Sequence, residues 1–192
     1  LEAHQCAASG GHNFFGTPPL KTAVMLADQC YDVILRHAIG AYKSVCEQRV
    51  DAEVEELVEA TVLLSGLGFE NGGLSLAHSL IRGITSVPTM SKCLHGEMVA
   101  FGALVQMIAE DRDQSEIDQL LEVLAQVKLP ISFAELGHQG PLAQGDLHRM
   151  VDATLAHTYA KNMEPPLTET RLAQALIKTN ELGSRRKKQP PS

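Results

Sequence analysis

The sequence predicts an all-α fold, and three observations carry that expectation. Apolar residues recur at spacings of three and four along most of the 192 residues, as helices with one buried face require. No segment alternates apolar and polar residues for long enough to be a half-buried strand. Val and Ile are scattered among Leu and Ala rather than gathered into short β-branched runs, and Pro or Gly clusters fall between the periodic stretches.

In chain order, Gly10 to Gly16 (G-G-H-N-F-F-G) reads as a loop, closed by Thr17-Pro18-Pro19 as cap and first turn. Leu20, Val24, Ala27, Tyr31, Ile34 and Leu35 then form the apolar stripe of a helix that Gly40 is expected to stop. Further helical patterns run over Ala52 to Leu64, Gln114 to Val127, Gly145 to Tyr159 and Thr168 to Asn180. Pro130, the stretch from Gly137 to Gly145, and Glu164-Pro165-Pro166 separate them. Residues 1–182 are expected to form one helical domain with Leu-rich stripes as its core, and residues 183–192 a disordered, basic, Pro-containing tail. There is no internal repeat.

Hydrophobic residues are 44% of the chain and charged residues 20%, which suits a globular domain with a sizeable core. A formal net charge of −7 leaves no basic surface to follow a phosphate backbone, so nucleic acid is excluded as an expected partner. Membrane is excluded too, because no apolar run reaches the length of a span and no signal peptide is visible. Cys6, Cys30, Cys46 and Cys93 show no paired spacing and are read as reduced thiols of a cytoplasmic protein. Cys93, two residues before His95, is a conceivable soft metal ligand, disfavoured because paired cysteine spacings are absent.

Chemistry concentrates between Gly72 and Phe101, where two apolar helical patterns meet at a polar, Pro-containing turn. His78 sits in the first pattern among Leu74, Leu76, Ala77 and Ile81, with Arg82 four residues on and therefore on the same side of the helix. His95 opens the second, whose stripe is Met98, Phe101, Val105 and Ile108; Glu97 is placed to favour that helix N-terminus. Taken singly, His78 reads as a hydrogen-bonded core histidine and His95 as an exposed cap residue. Taken together, they could make half of a metal site. His12 lies in a loop near His4, while His37, His138, His148 and His157 read as surface groups.

The motifs G-F-E-N-G-G-L-S-L-A-H (Gly68 to His78) and L-H-G-E-M-V-A-F-G (Leu94 to Gly102) resemble the metal-dependent glycerol dehydrogenases, within the iron-containing alcohol dehydrogenase group. L-E-A-H-Q-C at the start and N-M at Asn162 and Met163 extend the resemblance over nearly the whole chain. It implies the multi-helix C-terminal domain of a dehydroquinate synthase-like two-domain fold, with the nucleotide-binding α/β domain absent from this chain. In that family an Asp and two His bind a divalent metal, zinc or else iron or nickel. The resemblance puts the two His on His78 and His95 and the Asp position on His4, and it matches Phe69 to a position lining the glycerol pocket.

The resemblance thus implies an NAD-dependent oxidoreductase acting on the CH–OH group of a polyol or hydroxy acid. NAD would be held mainly by the absent domain, so the chain is expected to be a fragment or processed product, inactive alone. The nearest thing to a phosphate-binding turn here, G-L-G-F-E-N-G-G from Gly66 to Gly73, lacks the third glycine at the required spacing and follows a helical pattern. Three imidazoles at His4, His78 and His95 would leave a metal an open position, as catalytic zinc sites do. Two departures from the family pattern raise local positive charge. His4 stands for a carboxylate, and H-S-L-I-R-G from His78 to Gly83 replaces H-A-I-H-N-G and brings in Arg82. Either the site has shifted toward an anionic hydroxy or keto acid bound in part by Arg82, or it has lost its metal. Arg82 as an ordinary surface or interface ion pair is equally open. The competing reading is a non-catalytic helical domain serving oligomerisation, and in both readings a homo-oligomer is expected.

Overall fold

The computed structural model describes residues 1–188, and among them lie nine α-helices, one π-helical turn, one 3-10 turn and no strand. The all-α expectation therefore holds. The chain divides into two compact units, Leu1–Leu74 and the remainder from Ser75.

The first unit holds α1 (Glu2–Ala8), α2 (Lys21–Cys46), α3 (Ala52–Glu59), the π turn (Ala60–Leu64) and α4 (Ser65–Gly72). Pro18 and Pro19 precede α2, whose flanking residue Leu20 is extended rather than helical. Ala23, Cys30, Val33, Ala38 and Ala41 form its buried stripe. Gly40 does not stop this helix. A Cβ there would come within 2.8 Å of the Glu53 carboxyl carbon, so the glycine makes room for a side chain of α3. Glu53 in turn bonds the His37 Nδ1 at 2.8 Å. Asp51 caps α3 by accepting the Val54 N–H, and it also accepts the Ser44 hydroxyl at 2.5 Å.

The helical pattern expected to end at Leu64 runs on to Gly72. The π turn bridges it, with the Ser65 N–H reaching back to the Ala60 carbonyl, which also accepts the Cys30 thiol at 3.4 Å. Gly73 ends α4 at φ 84°, and the Cys6 sulfur occupies the space that any Cβ at this position would need.

The second unit holds α5 (Leu76–Thr85), α6 (His95–Ala109), α7 (Gln114–Gln126), α8 (Gln144–Leu155), the 3-10 turn (Thr158–Lys161) and α9 (Glu169–Lys188). Helix α5 lies between α6 and α8. On one side a Cβ at Gly102 would stand 2.6 Å from the Ala77 carbonyl oxygen; on the other, Gly83 abuts Thr154 and Met150. Helix α6 is buried along most of its length, with Phe101, Leu104, Val105 and Met107 almost wholly enclosed. Each such side chain contributes about 1.5–3 kcal/mol by leaving water, which makes α6 the axis of this core.

Two boundaries differ from the expectation. Helix α8 ends at Leu155, so Tyr159 belongs to the 3-10 turn instead. Helix α9 passes Asn180 and takes in the basic residues of the expected tail: Arg186 pairs bidentately with Glu122 at 2.7 and 2.9 Å, and Lys187 meets Glu135 at 2.8 Å. Gly183 lies flush against the Ile131 carbonyl. Anchors on α7 and on the turn holding Glu135 fix this end of α9, while residues 189–192 lie outside the described part.

Candidate metal and substrate site

The sequence pattern on α5 and α6 brings two imidazoles together. His78 is half-buried, in the first turn of α5; His95 is exposed, the first residue of α6. Their ring centroids are 5.5 Å apart, with planes at 55°. A tetrahedral ion about 2.1 Å from each nitrogen would set two imidazole centroids roughly 5 Å apart, so the pair fits a shared divalent metal. Glu97 steadies this end of α6 by accepting the Leu94 N–H at 2.8 Å. The Gln106 side chain, from within α6, accepts the Ala77 N–H at 3.0 Å and ties the two helices together one residue before His78.

His4 lies on α1 of the first unit, and its Nε2 is bonded to the Asp28 carboxylate at 2.5 Å. As a ligand it would have to give up that bond or bind through Nδ1. Among the described residues no group of three His, Cys, Asp or Glu side chains is arranged to hold an ion. The site visible in the second unit is therefore a pair. Cys93 does not extend it: its thiol donates to the Leu136 carbonyl at 3.1 Å, and burial, then the charge of Glu97, push its pKa up and keep it protonated.

Arg82 is exposed on α5, and no carboxylate among the described residues pairs with it. Its guanidinium therefore stands one turn from His78 without an ion pair inside the described part of the chain. Phe69, on α4 of the first unit, is 38% exposed and meets Phe14 edge to face at 5.2 Å. Gly66 to Gly72, the candidate glycine turn, lie inside α4, where their N–H groups serve the helix rather than a phosphate.

Sequence reasoning missed His157. Its sequence context suggests a surface group, yet it is half-buried, with Nδ1 3.3 Å from the Ser79 hydroxyl and its ring edge-on to Tyr159 at 5.0 Å. Burial chiefly, then the charges of Arg82 and His78, push its pKa down, so the ring is neutral near pH 7. The remaining histidines stay local: His37 serves Glu53, His138 bonds Thr89, His148 pairs with Asp152, and His12 is exposed.

No family model matches the chain. It is 35% identical over 188 residues to the glycerol dehydrogenase of Thermotoga maritima, covering 97% of this chain and 51% of that protein. It is 34% identical over 186 residues to a glycolaldehyde reductase of Halobacterium salinarum, covering 96% of this chain and again 51% of the relative. The solved glycerol dehydrogenase of Schizosaccharomyces pombe superposes with a TM-score of 0.89 at 30% identity, over all of this chain and 52% of that one. The chain belongs to the glycerol dehydrogenase family. It spans about half the length of the relatives it matches and corresponds to their C-terminal helical domain. The glycerol dehydrogenase-like core thus includes both helices of the histidine pair.

Proposed function

We propose that this chain is the metal- and substrate-binding half of an NAD-dependent oxidoreductase acting on the CH–OH group of a polyol or short hydroxy acid. The observation that carries the proposal is the pair of imidazoles 5.5 Å apart on adjacent helices. His78 and His95 would hold zinc, iron or nickel, and the bound ion would supply Lewis-acid polarisation of a substrate oxygen. Arg82, unpaired and one turn from His78, would hold a carboxylate on the substrate through a planar donor fork. Phe69 supplies an apolar surface of the kind that lines small-molecule pockets. No described segment forms a glycine turn for a dinucleotide, so residues 1–192 alone would not reduce NAD.

The relatives support the reaction class by name: one is a glycerol dehydrogenase and the other a glycolaldehyde reductase. A second reading, a non-catalytic helical domain serving self-association, draws on the exposed apolar side chains of the first unit, among them Met25, Val58, Val62 and Leu63. One experiment separates the two. The purified chain is titrated with zinc and with ferrous iron, beside a His78→Ala/His95→Ala variant. Stoichiometric binding that the double variant loses supports the enzyme reading. Absence of uptake by the parent chain would overturn it and leave the association domain.

A further inference from the structure

The Ser79 hydroxyl has a single proton, and it is directed to the Ser75 carbonyl, an acceptor, at 2.9 Å. The other neighbour of that hydroxyl is His157 Nδ1 at 3.3 Å. With its proton already committed, the Ser79 oxygen can only accept from the ring, so Nδ1 is the nitrogen that carries hydrogen. The second nitrogen, Nε2, is then a bare lone pair, and it has no hydrogen-bond partner among the described residues. Ser79 is fully buried and follows His78 directly; Arg82 lies three residues further along α5. His157 thus brings an acceptor to the part of α5 that bears both a candidate ligand and the unpaired cation.

We propose that His157 is a specificity-determining residue whose Nε2 accepts a hydrogen bond from a substrate hydroxyl other than the one that reacts. This deepens the reading above and rests on it for the place of the substrate. The two polar groups then divide the ligand between them. Arg82 offers only donors and takes the anionic end; His157 offers only an acceptor and takes a hydroxyl. A short hydroxy acid with a second hydroxyl satisfies both, whereas one ending in a methyl group leaves the imidazole lone pair unmet. The lowered pKa of His157 agrees, because burial and then the Arg82 charge oppose the protonated ring that would turn this acceptor into a donor.

Two measurements test the proposal. The first is the ¹⁵N spectrum of the histidine rings in the ligand-free chain, which reads the tautomer without metal or substrate. His157 is expected in the Nδ1–H form, and Ser79→Ala is expected to move it toward Nε2–H while metal binding stays intact. An Nε2–H ring in the parent chain overturns the proposal. The second is titration of the metal-loaded chain with glycerate and lactate, which differ by one hydroxyl, and in parallel with glycerol and propane-1,2-diol. The parent is expected to favour the extra hydroxyl in both pairs by roughly three- to tenfold, one hydrogen bond's worth. His157→Phe should abolish the preference and leave metal affinity unchanged; a preference that survives the substitution overturns the proposal. Failure of the Arg82 reading looks different, as the acids binding no better than the neutral pair while the hydroxyl preference remains.

Discussion

His78 and His95 face one another across a crossing at which Gly102 packs against the Ala77 carbonyl, the residue before His78. The distance between the rings is therefore set by how closely the two helix backbones approach. Gly102→Ala would push a methyl group to 2.6 Å from that oxygen and force the helices apart. Overpacking of this kind costs about 1–3 kcal/mol. The expected result is a lower Tm together with weaker metal binding, read by calorimetry and metal titration on one sample. Destabilisation with unchanged metal affinity would show that the pair tolerates the shift.

His4 and the histidine pair make separable predictions. Loss of a group that merely orients a ligand typically weakens a metal site by roughly 10- to 100-fold, so loss of a ligand should do at least that. His78→Ala and His95→Ala are each expected to reach that range. His4→Ala is expected to leave affinity within about threefold, because its Nε2 is engaged by Asp28. A drop in the His4 variant as large as in the other two would make His4 the third ligand.

Arg82 should govern charge selectivity. Charge-assisted hydrogen bonds to a carboxylate contribute about 1.5–3 kcal/mol, a roughly ten- to hundredfold preference. In the metal-loaded chain, Arg82→Asn should weaken binding of a short hydroxy acid by that factor, read by calorimetric titration, and leave glycerol nearly unaffected. An unchanged ratio would make Arg82 an ordinary solvated charge.

Glu122 and Arg186 give a pH-dependent stability. Hydrogen bonds from Arg186, then from Gln126, hold the Glu122 carboxyl below its usual range. A carboxyl with a depressed folded pKa stabilises the fold above its unfolded value, roughly 4.3, and loses that contribution as pH falls through the folded value. The stability gap between the parent and Arg186→Ala should therefore be widest near neutrality and close in acid. Both groups are partly exposed, so the gap should also shrink with added salt. A gap independent of pH from 7 to 3 would show that Arg186 acts by packing instead.

Cys93 is expected to be a bystander. Its thiol is kept protonated and bonded to Leu136, so Cys93→Ser should bind zinc as the parent does and react no more slowly with metal. A tenfold loss would place sulfur in the site.

The helices were legible because their stripes are long and their punctuation is chemical: α7 matches its pattern to within a residue, and His95 opens α6 as the sequence suggests. Legibility failed where a residue type had two physical uses. Gly40 looked like a stop and is a notch for Glu53; the helical pattern expected to end at Leu64 continues through Gly66 and Gly68, which lie within α4. The basic run at Arg185 looked solvated because Glu122 and Glu135, its neighbours' partners, are more than 40 residues away in sequence. His157 was hidden for the same reason. Nothing between Ala156 and Thr158 signals a site, and only the packing of α8 against α5 brings the ring to Ser79.

The two candidate functions of the second unit are carried by different parts of the chain. The histidine pair belongs to α5 and α6, whereas His157 arrives from the turn after α8, beside Ser79 of α5. Exchanging the residue at 157 would change which hydroxyl pattern is welcomed while leaving the α5–α6 crossing untouched. Under the proposed roles, a lineage with this architecture could retune its choice of substrate by drift at one turn, without passing through forms that have lost the histidine pair.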